Sequence, residues 1–384
     1  MMQSNNVNNF DIVITGCGPA SQVLASAIEN ALPEKKIAWI REQSDLKEKK
    51  IDSRKLALSY SSLSILKKLK LISDKKIGYY IKKINVSDEG HFGKVFLHAS
   101  KIGVPYLGSV LSFHELLQSL KNEKCYIYKD TVCEINQNEE EIKISLSNNQ
   151  KIITKLIINT DRTTLPLSIM QKFKFNTKIF KQFAITADII FESNNGNEAF
   201  ERFTEEGPFA LLPFSDNAMN MVWCLDEREK KVYSSLNDGE LISLIQKKFG
   251  WKLGKICSVN NIAFYDLKRE TIKNFFSHRI LNIGSFANKM HPVAGQGFNL
   301  TIRDIYTVIK TLAQNEDPGS WSSLNAINKN RKIDQQNIIW FTEGLIHLFS
   351  NKELSFFRSL GLSTFNHFNF LQQSLKKFII KDEY

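Results

Sequence analysis

The sequence lacks the segments that would send a protein into or across a membrane. Its longest apolar runs fall far short of the roughly 20 residues that a bilayer-spanning helix requires. Its first ten residues are polar and contain neither the basic nor the apolar region of a signal peptide. Cysteine is also scarce: the five cysteines include no CxxC pair, so neither a zinc site nor a disulfide framework is indicated. We therefore expect a cytoplasmic protein without a metal, with any contact with the inner membrane being peripheral.

One sign of charge is in excess, but it forms no dense block. The 384 residues contain 51 Lys and Arg and 40 Asp and Glu, which gives a formal net charge of +11. The lysines are scattered among isoleucines and asparagines, and no recognised nucleic-acid-binding module accompanies them. We therefore expect no nucleic-acid partner. A solvated basic surface is the favoured explanation of the charge, and an anionic membrane surface is the alternative.

The first 40 residues have the pattern of a dinucleotide-binding βαβ unit. An apolar run at 11–15 ends in a glycine turn, a helical stretch covers 20–31, and a second apolar run covers 36–40. Strand, glycine turn, helix and strand in this order predict the opening of a Rossmann-like fold.

The glycine turn reads Gly16-Cys-Gly18-Pro-Ala-Ser21, where GxGxxG is expected. Gly16 would permit the tight turn, and Gly18 would let the backbone approach a pyrophosphate at the helix N-terminus. Ser21 is small enough to replace the third glycine, which allows close packing of helix and strand. Taken alone, the motif fits either a nucleotide site or a glycine turn in another α/β unit.

The acid that would bind the adenosine ribose is ambiguous. Arg41 follows the second apolar run directly, and Glu42 comes one residue later. Because successive strand side chains point to opposite faces, a shift of one residue matters. Either Glu42 binds the ribose hydroxyls through a local irregularity of the strand, or this chain has lost the carboxylate that would bind the ribose.

The most specific pattern lies between residues 284 and 300. An apolar strand runs into a loop with three glycines and a proline, and a long helix follows from about residue 297 to 313. Such a loop can place backbone amides and a helix N-terminus against an electron-rich group. An elaborate strand-to-helix connection is the alternative.

Together these segments resemble the class A flavoprotein monooxygenases. The HPxxGQGxN flavin loop of that family is similar to the residues His291, Pro292, Gly295, Gln296, Gly297 and Asn299. The DxRxxALs segment, whose arginine contacts the flavin, is similar to Asp52, Arg54, Ala57, Leu58 and Ser59. Five further segments narrow the resemblance to the ubiquinone-biosynthesis hydroxylases: 86–91, 199–204, 207–213, 222–224 and 249–255.

The resemblance implies which residues hold FAD and which shape the place of reaction. The residues expected to contact the cofactor are Gly16, Gly18, Ser21, Glu42, Arg54, Asp161, Ser285, Gly297, Phe298 and Asn299. Pro292, Gly295 and Gln296 would shape the catalytic pocket beside the flavin ring, and no side-chain nucleophile is expected.

Three positions depart from the family pattern. Ser285 stands where the family's GD motif has the acid that binds the ribityl chain. Arg162 replaces the glycine of the DG motif that begins at Asp161, and Leu165 replaces that motif's serine. Arginine is costly wherever a positive φ or a close backbone approach is required.

The fold implied by the resemblance is α/β. It consists of a Rossmann-like FAD-binding domain of the glutathione-reductase type, interrupted by a strand-rich substrate domain and followed by C-terminal helices. The expected ranges are 8–78, 104–178 and 268–320 for the FAD-binding domain, 79–103 and 179–267 for the substrate domain, and 321–384 for the helical region.

The implied function is hydroxylation of a polyprenylated phenol of the 2-octaprenyl-6-methoxyphenol type, with FAD, NAD(P)H and O2. NADPH would bind transiently at the surface, since the sequence contains no second nucleotide-binding βαβ unit. The alternatives are hydroxylation at another ring position, another flavin-dependent oxidation, or a degenerate flavoprotein that serves as a structural subunit of a biosynthetic complex. An ordinary NAD dehydrogenase would explain the first glycine turn but not residues 284–300.

Two aromatic-rich regions could meet the substrate or its membrane. In the strand-rich region, an apolar wall is expected from Phe200, Phe203, Pro208, Leu212, Pro213 and Trp223, with plain core packing as the alternative. The C-terminal region combines lysines with Phe349, Phe356, Phe357, Phe365, Phe368, Phe370 and Phe378. These suit a peripheral contact with anionic lipid or with proteins of the ubiquinone-biosynthesis complex. Packing of that tail onto the main body is the alternative.

Overall fold

The computed structural model describes residues 8–42, 54–73, 75–90, 94–120, 122–162, 164–292 and 295–350, without the side chains of 345–350. The strands are β1 Asn8–Thr15, β2 Ile37–Arg41, β3 Lys55–Ser59, β4 Tyr79–Ile81, β5 Lys83–Asp88, β6 Lys94–His98, β7 Gly108–Ser112, β8 Tyr126–Lys129, β9 Val132–Gln137, β10 Ile142–Leu146, β11 Lys151–Asn159, β12 Phe175–Phe191, β13 Glu198–Phe203, β14 Pro208–Pro213, β15 Ala218–Asp226, β16 Ile256–Ile272, β17 Phe276–Ser277, β18 Ile280–Asn282 and β19 Asn288–Lys289. The helices are α1 Pro19–Ala31, α2 Tyr60–Lys68, α3 Ala99–Ile102, α4 Phe113–Gln118, α5 Leu167–Met170, α6 Lys230–Ser234, α7 Asp238–Phe249, α8 Gly284–Ala287, α9 Gln296–Leu312 and α10 Trp321–Ser350.

The opening βαβ prediction is confirmed. β1 pairs in parallel with β2 and with β11, and the sheet continues in the order β17-β18-β11-β1-β2-β8. β1 is fully buried from Ile12 to Ile14, as expected for a parallel strand that is covered on both faces. Helix α1 begins directly after the glycine turn, with Pro19 at its first position, where proline lacks only an N–H that would be unpaired anyway.

A second large sheet holds the strand-rich part of the chain, in the order β19-β16-β12-β15-β14-β13-β5-β6. Neighbouring strands in it are antiparallel, except for the parallel pair β13–β5. β12 and β16 have 17 residues each and run across the predicted boundaries at 178/179 and 267/268. The two regions are therefore joined by continuous strands instead of flexible linkers.

In two stretches the structure departs from what the apolar pattern of the sequence predicts. That pattern predicts strands over 79–102, but the stretch ends in a helical turn, α3, which Gly103 terminates at φ +86°. The pattern also predicts one strand-like run over 134–146, where the structure has the antiparallel pair β9–β10. Between these strands the Asn138 side-chain oxygen accepts hydrogen bonds from the amides of Glu140 and Glu141, an arrangement that makes a tight turn.

Helices α9 and α10 are joined by a buried cluster of opposite charges. Arg331 and Asp304 are both fully buried, and the Arg331 Nε lies 2.5 Å from the Asp304 Oδ1. Asp334 accepts from Arg331 Nη2 at 2.6 Å and from Arg303 Nε at 2.7 Å. Each α9 charge in this cluster thus has an α10 partner.

The C-terminal region is described only in part. α10 lies in the helical region predicted over 321–384. The rest of that region, from residue 351, lies outside the described residues, as do the phenylalanines from Phe356 onward. Among the described helices, none has both the length and the apolar character required to cross a bilayer.

Candidate functional site

The first glycine turn is packed too closely for any side chain at Gly16. Gly16 has φ +136°, and a Cβ at this position would lie 2.1 Å from the Thr160 Oγ1. The Trp39 indole donates a hydrogen bond of 2.7 Å to the Gly16 carbonyl oxygen. Glycine is therefore required here by both backbone conformation and space.

Two backbone amides of this turn converge on one anionic oxygen. The Asp161 Oδ2 accepts hydrogen bonds from the Cys17 N–H at 2.7 Å and from the Gly18 N–H at 3.2 Å. Here the carboxylate oxygen stands where a phosphate oxygen could be bound by the same donors. Gly18 has an extended φ of −83°, and a Cβ on it would meet only the Asp161 Oδ2, at 3.7 Å. The turn thus has the donor chemistry and the open approach that a pyrophosphate needs.

The other predicted residues near this turn have distinct places. Ser21 is fully buried, and its hydroxyl donates to the Gly18 carbonyl oxygen at 2.6 Å. The Glu42 N–H donates to the Cys17 Sγ at 3.3 Å, so Glu42 lies beside the turn. The Arg41 guanidinium instead stacks over the Trp39 ring, 5.1 Å from its centroid.

The start of the 284–300 segment packs against the same turn. Gly284 has φ +62°, and a Cβ on it would lie 3.2 Å from the Ala20 Cβ and 3.0 Å from the Thr160 carbonyl oxygen. The Ser285 hydroxyl donates to that carbonyl oxygen at 3.3 Å. Segments 16–21, 160–162 and 284–285, which are far apart in the sequence, therefore meet at one edge of the parallel sheet.

The N-terminus of α9 is held by one amide side chain. The Asn299 Oδ1 accepts from the Ser59 N–H at 2.9 Å, and its Nδ2 donates to the Ala57 and Gly295 carbonyl oxygens at 2.9 and 2.8 Å. Gly295 caps the helix at φ +58°, and its N–H donates to the Pro292 carbonyl oxygen at 3.0 Å. Asn299 is buried, so its side chain positions the loop against the segment after Arg54.

Arg54 is linked to the flavin loop through two aromatic rings. Its guanidinium lies 5.2 Å from the centroid of Phe113, and Phe113 packs edge-on against Phe298 with 5.1 Å between centroids. Gly297 has open space around the position of a Cβ, and Pro292 and Gln296 of the loop are half-buried. Asp52 lies outside the described residues.

His291, the first residue of this loop, is a neutral side chain. It is buried, and its ring packs edge-on against Phe180 with 4.8 Å between centroids. Burial lowers the pKa of His291 from 6.5 to about 4, because a charged imidazolium is poorly solvated there. This contact joins the loop to the strand-rich sheet.

The two departures of the DG motif are accommodated. Arg162 is not among the residues with positive φ, and its guanidinium lies over the Phe175 ring at 4.2 Å and 3.4 Å from the Glu270 carboxylate. Leu165 is buried in the main hydrophobic core. Neither side chain enters the glycine turn, where arginine would have been costly.

Sequence reasoning missed a row of buried polar side chains under the site. The Thr15 hydroxyl donates to the Asn159 Oδ1, and the Asn159 Nδ2 donates to the Asn282 Oδ1, both at 3.0 Å. Each residue ends a parallel strand, of β1, β11 and β18 respectively. A polar residue at the end of each apolar run was the available signal, and it marks where three strand ends align.

The predicted apolar wall divides between two faces of the strand-rich sheet. Phe200 and Trp223 belong to the buried cluster that packs against α7, and Pro213 lies on the same side of its strand as two members of that cluster, Phe209 and Leu211. The other three predicted wall residues, Phe203, Pro208 and Leu212, lie on the opposite face. That opposite face meets the flavin loop through Phe180 and His291.

No cluster of three or more His, Cys, Asp or Glu side chains suited to a metal ion occurs within the described ranges. None of the five cysteines forms a disulfide.

Comparison with known proteins agrees with this geometry. A family model described as FAD binding domain matches residues 148–340, just over half of the chain. The ubiquinone hydroxylase UbiM of Neisseria meningitidis is 25% identical over 97% of this chain and 84% of its own length. The 3-demethoxyubiquinol 3-hydroxylase of Escherichia coli is 24% identical over 74% of this chain and 76% of its own.

Among solved structures, p-nitrophenol 4-monooxygenase PnpA of Pseudomonas putida superposes with a TM-score of 0.74 at 12% identity, over 98% of each chain. This likeness confirms the predicted α/β fold with C-terminal helices. The resemblance that the motifs predicted is likewise confirmed at the level of the family.

Proposed function

The chain belongs to the FAD binding domain family, and on that premise we propose that it is an FAD-dependent monooxygenase that hydroxylates a polyprenylated phenol in ubiquinone biosynthesis. The electrons would come from NAD(P)H and the oxygen from O2. The observation that supports it best is the convergence of the Cys17 and Gly18 amides on one anionic oxygen, at the edge where three motif segments meet.

The residues present fit the cofactor in three respects. The glycine turn offers two N–H donors and open space at Gly18 for a pyrophosphate. Glu42 lies beside the turn, which supports the proposal that it binds the adenosine ribose. The loop from Pro292 onward, with Gly297 open to its surroundings, would lie beside the flavin ring.

FAD, when bound, supplies the redox chemistry and activates O2. The protein's own contribution is to hold the ring in place and keep the site dry. Asn299 bonds the start of α9 to the Ala57 carbonyl and the Ser59 amide, which ties this end of the helix to the segment that follows Arg54. His291 is buried and neutral, so it adds no charge beside the ring.

Two relatives, from different bacteria, are named as hydroxylases of ubiquinone or its precursor. Their names support a phenolic ring as the substrate, and the 2-octaprenyl-6-methoxyphenol type remains our specific proposal. The ring position is open, since the E. coli relative is named for position 3. Delivery of the insoluble substrate by a membrane surface or by complex proteins is part of the same proposal.

The test compares wild type with Gly18→Val in the presence of FAD, NADPH, O2 and a short-chain alkylated methoxyphenol. We expect wild type to form a hydroxylated product, detected by mass spectrometry. In Gly18→Val, the branched side chain suits the extended backbone but blocks the pyrophosphate, so FAD binding should weaken by about 100-fold, or about 3 kcal/mol. FAD titration and thermal unfolding of the apoprotein measure binding and folding separately.

Gly16→Val is the matched structural control, because its Cβ would collide with the Thr160 side chain whether or not FAD is present. We expect it to destabilise the apoprotein, unlike Gly18→Val. Full retention of FAD by Gly18→Val would contradict the cofactor placement. A flavin-loaded wild type that hydroxylates no phenol would contradict the function.

A further inference from the structure

The face of the strand-rich sheet that meets the flavin loop contains a row of small, half-buried side chains. The row crosses five strands through the pairings of Glu201 with Ala210, Ala210 with Val222, Val222 with Thr186, and Thr186 with Ala263. All five residues are partly accessible, whereas the strands carry fully buried aromatic residues on the other face. We call this row of five residues the floor of that face.

This row lies between two places where the sheet contacts the proposed flavin site. On one side, Leu212 packs against the same hydrophobic cluster as Ala57, next to the segment that Asn299 binds. On the other side, Ala184 and Cys224 pack with Phe180, which contacts His291 of the flavin loop. A ring bound over the row would thus face the loop from Pro292 onward.

Glu201 is the one acidic member of the row. Within the described residues its carboxylate forms neither a hydrogen bond nor an ion pair. The next residue, Arg202, points to the opposite face, where its guanidinium donates to the Phe249 carbonyl oxygen at 3.4 Å. A carboxylate without a partner on an apolar floor is costly, so a functional reason for it is expected.

The groups around Glu201 leave its charge uncompensated. Its neighbours in the adjacent strands are Ala210 and Val86, which do not titrate. Glu201 acts in turn on the buried Cys224 thiol, whose pKa is raised well above its usual range by burial and by Glu201, so the thiol stays neutral. Burial raises the pKa of Glu201 from 4.5 to about 7, close to the pH at which a general base works best.

We propose that Glu201 is the catalytic base that accepts the proton of the substrate's phenolic hydroxyl. The phenolic O–H bond breaks, its electron pair stays on the oxygen as phenolate, and the proton forms a new O–H bond on the Glu201 carboxylate. The phenolate makes the ring carbons ortho and para to it richer in electrons, which favours attack on an oxygen derived from O2. Between turnovers the carboxyl loses the proton to solvent through its accessible edge. This assignment rests on the proposed function.

The test uses the flavin-loaded holoenzyme as wild type, Glu201→Gln and Glu205→Gln. Glu205 makes the matched control because it is exposed in the turn just after β13 and undergoes the same chemical change. Product formation from the methoxyphenol is measured across pH. We expect the wild-type rate to rise with pH through about 7, and Glu201→Gln to lose about 100-fold or more in rate. Its remaining rate should rise only near the ionisation of the free phenol, at about pH 10. Glu205→Gln should behave as wild type.

A binding measurement gives a second readout that needs no turnover. Calorimetry at about pH 8 compares the phenol with its methyl ether, which has no proton to donate. We expect wild type to bind the phenol more tightly than the methyl ether. In Glu201→Gln the ratio of the two dissociation constants should be about tenfold smaller, because a neutral amide is a weaker hydrogen-bond acceptor than a carboxylate.

The outcomes separate this assignment from the function on which it rests. If wild type hydroxylates the phenol and Glu201→Gln retains its rate, pH profile and preference for the phenol, the assignment to Glu201 is overturned and the function stands. If flavin-loaded wild type hydroxylates no phenol, both are overturned. If Glu201→Gln is insoluble, the wild-type profile decides, because a rate that is flat between about pH 6 and 8 would overturn the assignment.

Discussion

The two faces of the strand-rich sheet are built from the same strands but differ in almost every property. The face against α7 is filled by large rings: Trp223 packs edge-on against Phe209 and Tyr233 at 5.3 and 5.4 Å, and both Trp223 and Phe209 are fully buried. The face toward the flavin loop has small and half-buried residues, with Glu201 among them. Alternation along each strand thus lets one face be a close-packed core and the other a binding floor.

The difference teaches how a site can be shaped without loss of the fold. The packed face fixes the positions of the strands, so the opposite face can carry small side chains and an unpaired acid. We therefore expect substitutions on the packed face to change mainly the stability of the protein. Substitutions on the opposite face should change mainly its chemistry.

The strongest test of this contrast is Trp223→Ala on the packed face. Removing a fully buried indole loses its burial and leaves a cavity, so the free energy of unfolding should fall by about 3–5 kcal/mol. Chemical denaturation of the apoprotein measures it. Trp223→Phe keeps a ring in the cluster and should cost less, about 1.5 kcal/mol. If Trp223→Ala lowered the free energy of unfolding no more than a substitution on the other face does, the contrast between the two faces would be wrong.

Glu201→Gln should raise the free energy of unfolding, whereas Trp223→Ala lowers it, because the folded state holds the Glu201 carboxyl at a raised pKa. Between pH 4.5 and about 7 the native carboxyl keeps a proton that the unfolded chain has released, so wild type loses stability as pH rises through this window. Above it, at about pH 8, Glu201→Gln should be more stable than wild type by up to about 3 kcal/mol. At about pH 4 the two should be equally stable. Denaturation at both pH values checks this, and equal stabilities at the higher pH would show that Glu201 is well solvated.

The smallest effect is expected for Val222→Ala in the floor itself. Val222 is half-buried, so the loss of two methyl groups should cost only about 1 kcal/mol of unfolding free energy. The enlarged floor should favour phenols with bulkier ring substituents. The ratio of kcat/KM values for a bulky and a small phenol measures this preference. An unchanged ratio together with a large loss of stability would place Val222 in the core instead.

Much of the fold could be predicted because its signals are local. The βαβ unit and the glycine turn follow from spacing within the first 40 residues, and the structure has α1 within one residue of its predicted start. The β9–β10 turn was missed because it depends on the Asn138 side chain bonding two later amides, which an apolar pattern does not show.

The orientation of the strand-rich sheet could not be predicted in the same way. β14 reads Pro-Phe-Ala-Leu-Leu-Pro, which is apolar on both faces and so carries no alternation to read. Trp223 and Phe200 therefore could not be separated from Phe203 and Leu212 before the pairing of the strands was known. Glu201 was inside a recognised segment, but only the register places it opposite Ala210 and on the floor.

The position of the candidate site could be predicted from the sequence, but the hydrogen bonds of its side chains could not. Asn299 and Ser21 were expected to touch the cofactor, and the structure shows their side chains bonded within the protein. Sequence motifs identify which residues gather at a place. The direction of each side chain depends on partners up to 242 residues away along the chain, such as Ala57 for Asn299.

The buried charges between α9 and α10 have a consequence for the order in which the protein is made. Asp304 and Arg303 lie on the helix that begins at the flavin loop, and their partners Arg331 and Asp334 are synthesised later. Docking of α10 takes these charges out of water, and each of them then has an opposite charge from the other helix as its partner. A nascent chain can form the two pairs only after residues 331–334 have been synthesised, so α9 reaches its final charge pairing late in translation.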